Sequence, residues 1–163
     1  MAYFITEDLA RYQPIAETST VQNHTLGTIV RAEDATYGAG EFIYLKGVAS
    51  CEVGSWVTYS YDDGATALLA ANAIDPVAVA MSACVASNYG WFQITGKAVG
   101  KVLAGYVDNA LVYATATAGS VDDAVVAGDR VKLAKGASAI GTPAAGFAEF
   151  EIARPFMDDG SAA

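Results

Sequence analysis

Asn88-Tyr89-Gly90-Trp91-Phe92-Gln93-Ile94-Thr95-Gly96-Lys97-Ala98-Val99 is the stretch on which the fold turns. Apolar and polar residues alternate through it and glycines punctuate it, which predicts a β-strand in a sheet wet on one face. Further short runs of the same kind lie on either side, bounded by turn residues: Leu26–Arg31, Glu41–Lys46, Ser55–Tyr61, Thr66–Ala70, Val77–Val85, Tyr89–Thr95, Ala98–Leu103, Leu111–Thr115, Arg130–Leu133 and Gly146–Ala153. Strands at such short spacing predict an all-β fold, a single β-barrel or β-sandwich domain.

The clearest local unit is a hairpin. Trp56 to Tyr61 and Ala65 to Leu69 flank Asp62-Asp63-Gly64, and Asp-Gly supplies the positive φ that a tight turn needs. Sixteen glycines against four prolines suit repeated turning, with Pro76 and Pro143 expected at strand entrances. The phrase Val102-Leu103-Ala104-Gly105 before Leu111 has a counterpart in Val125-Val126-Ala127-Gly128 before Arg130, each read as a turn feeding a strand. The Ala-, Gly- and Thr-rich tract from Ala104 to Ala145 leaves room for a helical turn over Val121–Val126, kept short by Gly119 and Gly128.

Residues 1–25 have a different texture. Phe4, Tyr12 and Ile15 are dispersed among charged and polar residues without a period, which predicts an extended amino-terminal arm, with a short helix over Thr6–Tyr12 as an alternative. On this reading residues 26–156 form the domain and 157–163 a flexible tail. The arm's apolar residues have no pattern that would dock them on their own core, so Phe4, Tyr12 and Ile15 are expected to contact a partner rather than to support folding.

Composition narrows the function. The 163 residues suffice for one domain, in which ~70% of the unfolded chain's surface becomes buried. Hydrophobic residues make up 53% and charged residues only 17%, which leaves a neutral exterior suited to self-association or assembly. A net charge of −9 argues against nucleic acid as a partner, since phosphate binding needs clustered Lys and Arg. The amino terminus lacks the basic start and apolar core of a signal peptide, so cytoplasmic synthesis is expected. The greasiest run, Ile74 to Ala86, is broken by Asp75-Pro76 and is too short for a membrane span, so no membrane partner is expected.

Few side chains invite chemistry. Cys51 and Cys84 match no metal-ligand spacing and are read as buried free thiols. His24, the single histidine, lies in a polar stretch with no nucleophile motif nearby and reads as a lone solvated side chain. Asp62-Asp63, Asp122-Asp123 and Asp158-Asp159, with Asp129, resemble paired carboxylates for calcium or for glycoside hydrolysis. Adjacent strand residues point to opposite faces, however, and Asp is common in turns, so these are read as turn residues. Neither Gly38-Ala39-Gly40 nor Gly141-Thr142-Pro143 has the Lys and helix of a phosphate loop. No catalytic, cofactor or metal site is therefore expected, and the chain is not read as an enzyme. Tyr59, Tyr61, Tyr89, Trp91 and Tyr113 suit a sugar-stacking platform or, more commonly in β-proteins, core and subunit interface.

Tyr89 to Gly96, followed by Leu111-Val112-Tyr113-Ala114-Thr115-Ala116-Thr117-Ala118-Gly119-Ser120-Val121-Asp122-Asp123-Ala124 and by the closing Gly146-Phe147-Ala148 and Arg154-Pro155-Phe156, resembles the head decoration, or capsid cement, proteins of tailed bacteriophages. The resemblance covers Gly38 to Phe156. It implies a β-rich virion protein on the outside of an icosahedral capsid, commonly a homotrimer, that clamps neighbouring major capsid subunits. It carries no catalytic or metal-site residue, and the amino-terminal arm departs from it most. A phage tail or fibre module that binds host polysaccharide through the aromatics is the rival reading, and a glycosidase a more distant one.

Overall fold

In the computed structural model the chain is described over residues 13–158, together with the backbone of Phe4–Ile5. The described strands are β1 (Phe4–Ile5), β2 (Ile29–Asp34), β3 (Gly38–Lys46), β4 (Trp56–Tyr59), β5 (Thr66–Leu68), β6 (Val77–Ala80), β7 (Tyr89–Lys101), β8 (Leu111–Ala114), β9 (Val121–Asp122), β10 (Arg130–Gly136) and β11 (Phe147–Met157). All belong to one curled antiparallel sheet, a half-barrel, in the order β1-β2-β3-β7-β11-β10-β8-β9. A flap of β4, β5 and β6 joins it where β6 pairs with β7 at Val79↔Gln93 and Ala80↔Phe92. The described residues contain no helix, and the fold is all-β.

The alternation rule explains how so small a sheet holds three apolar clusters. Successive residues of a strand face opposite ways. In β3, Phe42 and Tyr44 enter one cluster with Ile15, Val30 and Trp91, while Ile43 and Leu45 enter another with Phe92 and Ile94. In β6, Ala78 and Ala80 join this second cluster, whereas Val77 and Val79 face a third with Trp56, Val112, Val131 and Phe150. Strands β4 and β6 are therefore buried along their whole length. The Trp56 and Phe150 rings meet edge to face at 4.9 Å, a favoured arrangement of their quadrupoles.

Several expectations are corrected here. The stretch from Tyr89 is not wet on one face: Gly90 to Ile94 are all buried, because cover lies on both sides of β7. Nor is it two strands. Gly96 carries the chain through with φ near +96°, and a Cβ there would lie 2.5 Å from the Ala39 carbonyl oxygen, so β7 runs unbroken to Lys101. Its first half pairs with β3 and its second with β11. Val121–Val126 is not a helical turn: Val121 is buried and pairs with Ala114, and packing in the core overrides local propensity. Pro143 lies in the loop between β10 and β11 rather than at a strand entrance, whereas Pro76 immediately precedes β6 as expected.

The ends are also revised. Residues 13–25 are not a free arm but a strap lying over β3 and β7. Ile15 is 1% exposed inside the apolar cluster with Phe42, Tyr44 and Trp91, and Ser19 exchanges backbone hydrogen bonds with Tyr89. At the other end Met157 is buried in the last strand, and Asp158 donates its backbone N–H to the Arg130 carbonyl. The domain thus runs past residue 156. The side chains of Phe4 and Tyr12, the alternative helix over Thr6–Tyr12 and the tail beyond Asp158 lie outside the described residues.

The Asp-Gly hairpin forms as expected. Val57, Thr58 and Tyr59 pair with Leu68, Ala67 and Thr66. Gly64 supplies the positive φ of 66°, and its N–H closes the turn on the Ser60 carbonyl.

Candidate functional site

The densest polar arrangement in the described chain is under the strap, and Gln13 is its centre. Only 4% exposed, Gln13 uses both ends of its side chain and both of its backbone groups. Its Nε2 donates to the carbonyls of Glu17 (2.7 Å) and Tyr89 (2.9 Å). Its Oε1 accepts from the Tyr44 hydroxyl (2.8 Å) and from Asn23 Nδ2 (3.1 Å). Trp91 Nε1 donates to its carbonyl at 2.7 Å, and its own N–H donates to His24 Nε2 at 3.2 Å. A buried amide so fully partnered fixes the strap in one register, since any slip would orphan several polar atoms at once.

This environment settles the aromatic residues. Trp91 is fully buried and Tyr89 half-buried, with Tyr44 packed against both rings. Tyr113 is 6% exposed on β8. Tyr59 is buried with its hydroxyl 3.1 Å from that of exposed Tyr61, and burial pushes the Tyr59 hydroxyl far above the ordinary tyrosine range. Trp91 and Tyr113 are therefore core side chains and form no sugar-stacking platform. His24 is corrected as well: it is half-buried against the rings of Tyr44 and Trp91, at 5.0 and 5.2 Å between centroids, and is not a solvated side chain.

Several of the carboxylates accept backbone N–H groups or pair with a lysine, some within a turn and some across the chain. Asp63 accepts the Ala65 N–H, and that bond draws its carboxyl below the usual range. Asp123 accepts the N–H of Val107, Asp122 that of Asp123, and buried Asp129 that of Asn72 at 2.6 Å. Asp158 pairs with Lys132 at 3.0 Å. Among the described residues no three of His, Cys, Asp or Glu come together to hold a metal ion. Cys51 and Cys84 are buried, unbridged and in one cluster. Desolvation pushes the Cys84 thiol up to about 12 and raises Cys51 also, which leaves neither a nucleophile near neutral pH.

The concave features are shallow. One hollow of about 250 Å³ is lined by Arg31, Ala39, Gly40, Glu41 and Thr95, and Arg154 reaches Glu41 beside it at 3.1 Å. Another, of about 290 Å³, is apolar, between Tyr37, Val53, Val99, Pro143, Ala144 and Phe147. Neither gathers a nucleophile and a base.

A different surface lies on the far side of the sheet, where β8, β10 and β11 run side by side. Leu111 pairs with Lys135, Arg130 with Tyr113, and Lys132 with Phe156. Leu111, Arg130, Leu133, Lys135 and Phe156 are all exposed, Leu133 by 58%. Between Lys132 and Ala134 the register slips, and both Leu133 and Arg154 adopt positive φ. This bulge turns Leu133 outward, where plain alternation would give it a place in the core. Among the described residues neither Arg130 nor Lys135 has a carboxylate within ion-pair distance. The surface is apolar with mixed charge, since exposed Glu151 stands opposite Lys135 in the ladder and Asp158 pairs with Lys132.

Residue patterns alone missed both features. Gln13 gives no sign in sequence, being one amide in a polar run. Arg130-Val131-Lys132-Leu133-Ala134-Lys135 does alternate charge, and the break at Leu133-Ala134 is the mark of the bulge.

No protein-family model, no curated protein and no solved structure matches the chain.

Proposed function

We propose that this protein is a virion decoration protein that binds the outer surface of an icosahedral phage capsid and bridges neighbouring major capsid subunits, in sets of three copies. The observation that carries the reading is the set of exposed apolar side chains on β8, β10 and β11. Exposed Leu111, Leu133 and Phe156 beside Arg130 and Lys135, neither of which forms an ion pair among the described residues, make a surface suited to a protein partner rather than to solvent. The sequence likeness over Gly38 to Phe156 and the shallow hollows without catalytic groupings point the same way. Ile15 is withdrawn as a capsid contact because it is core; Phe4 and Tyr12 keep that role together with the open face.

Repetition makes weak contacts sufficient. A shell presents the same site many times, and a multivalent set of copies gains avidity without any single strong interface.

The test is co-sedimentation of the purified protein with assembled shells that lack their decoration layer. Saturable binding at a fixed ratio to capsid subunits is expected, and the double variant Leu133→Asp, Lys135→Glu should weaken it at least tenfold while keeping the fold. Saturable binding to a host polysaccharide with none to shells would overturn the reading in favour of a tail or fibre module.

A further inference from the structure

We propose that His24 is an acid-sensitive latch: in its neutral form it holds the strap of residues 13–25 on the sheet, and its protonation releases that strap. The contact that makes it so is the Gln13 N–H donating to His24 Nε2 at 3.2 Å. A nitrogen that accepts this bond carries no proton, so the proton of the neutral ring is on Nδ1. Protonating Nε2 turns acceptor into donor and sets two N–H groups against each other.

The loss falls on the one residue that organises the strap. Gln13 is joined to Glu17, Asn23, Tyr44, Tyr89 and Trp91, so displacing its backbone disturbs every bond at once. Among the described residues, the groups facing the imidazole offer a cation no compensating carboxylate. From β3 it meets Tyr44 and from β7 Trp91, with Tyr89 stacked behind Tyr44. Burial raises the Tyr44 hydroxyl, which keeps it neutral throughout the acid range. The strap itself brings Glu17, which is engaged here through its backbone carbonyl. Among the described residues His24 forms no ion pair.

Burial lowers the His24 pKa below its ordinary 6.5. A histidine whose folded pKa is depressed contributes stability at pH above the unfolded value, and that contribution is lost as pH falls through the folded one. The strap is accordingly held at neutral pH and loosened in acid below 6.5. The latch rests on these contacts alone and holds whether or not the chain decorates shells.

A single histidine makes the test direct. Nuclear magnetic resonance of the full chain should show the imidazole titrating below its ordinary value, with the Trp91 indole N–H shifting along the same curve. Amide exchange at Gln13 and Ser19, corrected for its intrinsic pH dependence, should quicken severalfold between neutral and acid pH, while exchange in β10 and β11 stays level. The variant His24→Gln, which offers an acceptor that does not titrate, should remove the pH dependence and keep the strap closed. An imidazole titrating at or above its ordinary value would overturn the proposal, as would strap exchange that is flat across the titration. If the variant fails to fold, the wild-type titration and exchange profiles decide the matter.

Discussion

The two flanks of the half-barrel use the same kind of strand differently. On the β2–β3–β7 flank the middle of β3 and the first half of β7 are covered on both sides, so Phe42, Ile43, Tyr44, Leu45, Trp91 and Phe92 are buried whichever way they point. On the β8–β10–β11 flank β10 and β11 are covered mainly on one side, and β10 shows the broken alternation of exposed Arg130, buried Val131 and exposed Leu133. On the first flank the polar atoms around Gln13, Tyr44 and Trp91 are spent internally, and Arg31 and Glu33 of β2 are exposed. The second keeps apolar and cationic groups in reach of solvent. Stability is thus concentrated on one flank and recognition on the other, and mutations should separate them.

The largest effect should come from removing residues 2–20. A free arm could be deleted without harm, but this deletion takes Gln13 and Ile15, leaving the Trp91 indole N–H and the Tyr44 O–H without their acceptors beside a hole once filled by an isoleucine. A loss on the order of 5 kcal/mol is expected, read by urea titration. A cooperative transition at the wild-type midpoint would show that the strap is dispensable and would dissolve the contrast between the flanks.

Trp91→Ala should follow closely, at about 3–5 kcal/mol, since a fully buried indole leaves both a cavity and an unpartnered Gln13 carbonyl. The sugar-platform reading puts the cost in ligand binding instead, with stability nearly unchanged.

Gly96→Ala should cost about 1–3 kcal/mol through its positive φ and the approach of the Ala39 carbonyl. Its mark would be a thermal midpoint lowered without any change in oligomeric state, measured by calorimetry and light scattering. The thiols sharpen the same flank without mutation. Cys51 and Cys84 should resist alkylation at pH 8 until the protein unfolds, because both are buried and Cys84 is held at about 12. Labelling faster than unfolding would show that this cluster opens locally.

The smallest effect on stability belongs to the open flank. Leu133→Asp should shift unfolding by no more than about 0.5 kcal/mol, as exposed positions generally do, and yet weaken shell binding. A large stability loss there would mean that Leu133 is structural.

The all-β class, the positions of most strands and the Asp-Gly hairpin are legible in the order of residues alone. These depend on local signals: period-two alternation, β-branched runs, and turn residues whose backbone freedom is intrinsic. That order also pointed to the local roles of Asp63 and Asp122, whose carboxylates accept the nearby N–H groups of Ala65 and Asp123, because that chemistry needs only near neighbours; the reach of Asp129 to Asn72 and of Asp158 to Lys132 was not legible there. It took the packed fold to bury the first half of β7 on both faces, to extend the sheet with Val121, to point Leu133 outward and to bring His24 and Ile15 to Trp91. Each of those depends on a partner far along the chain, as when Gln13 meets Tyr89 and Trp91 across 76 and 78 positions. Burial is a property of what packs against a residue, and no residue's own pattern states what will cover it.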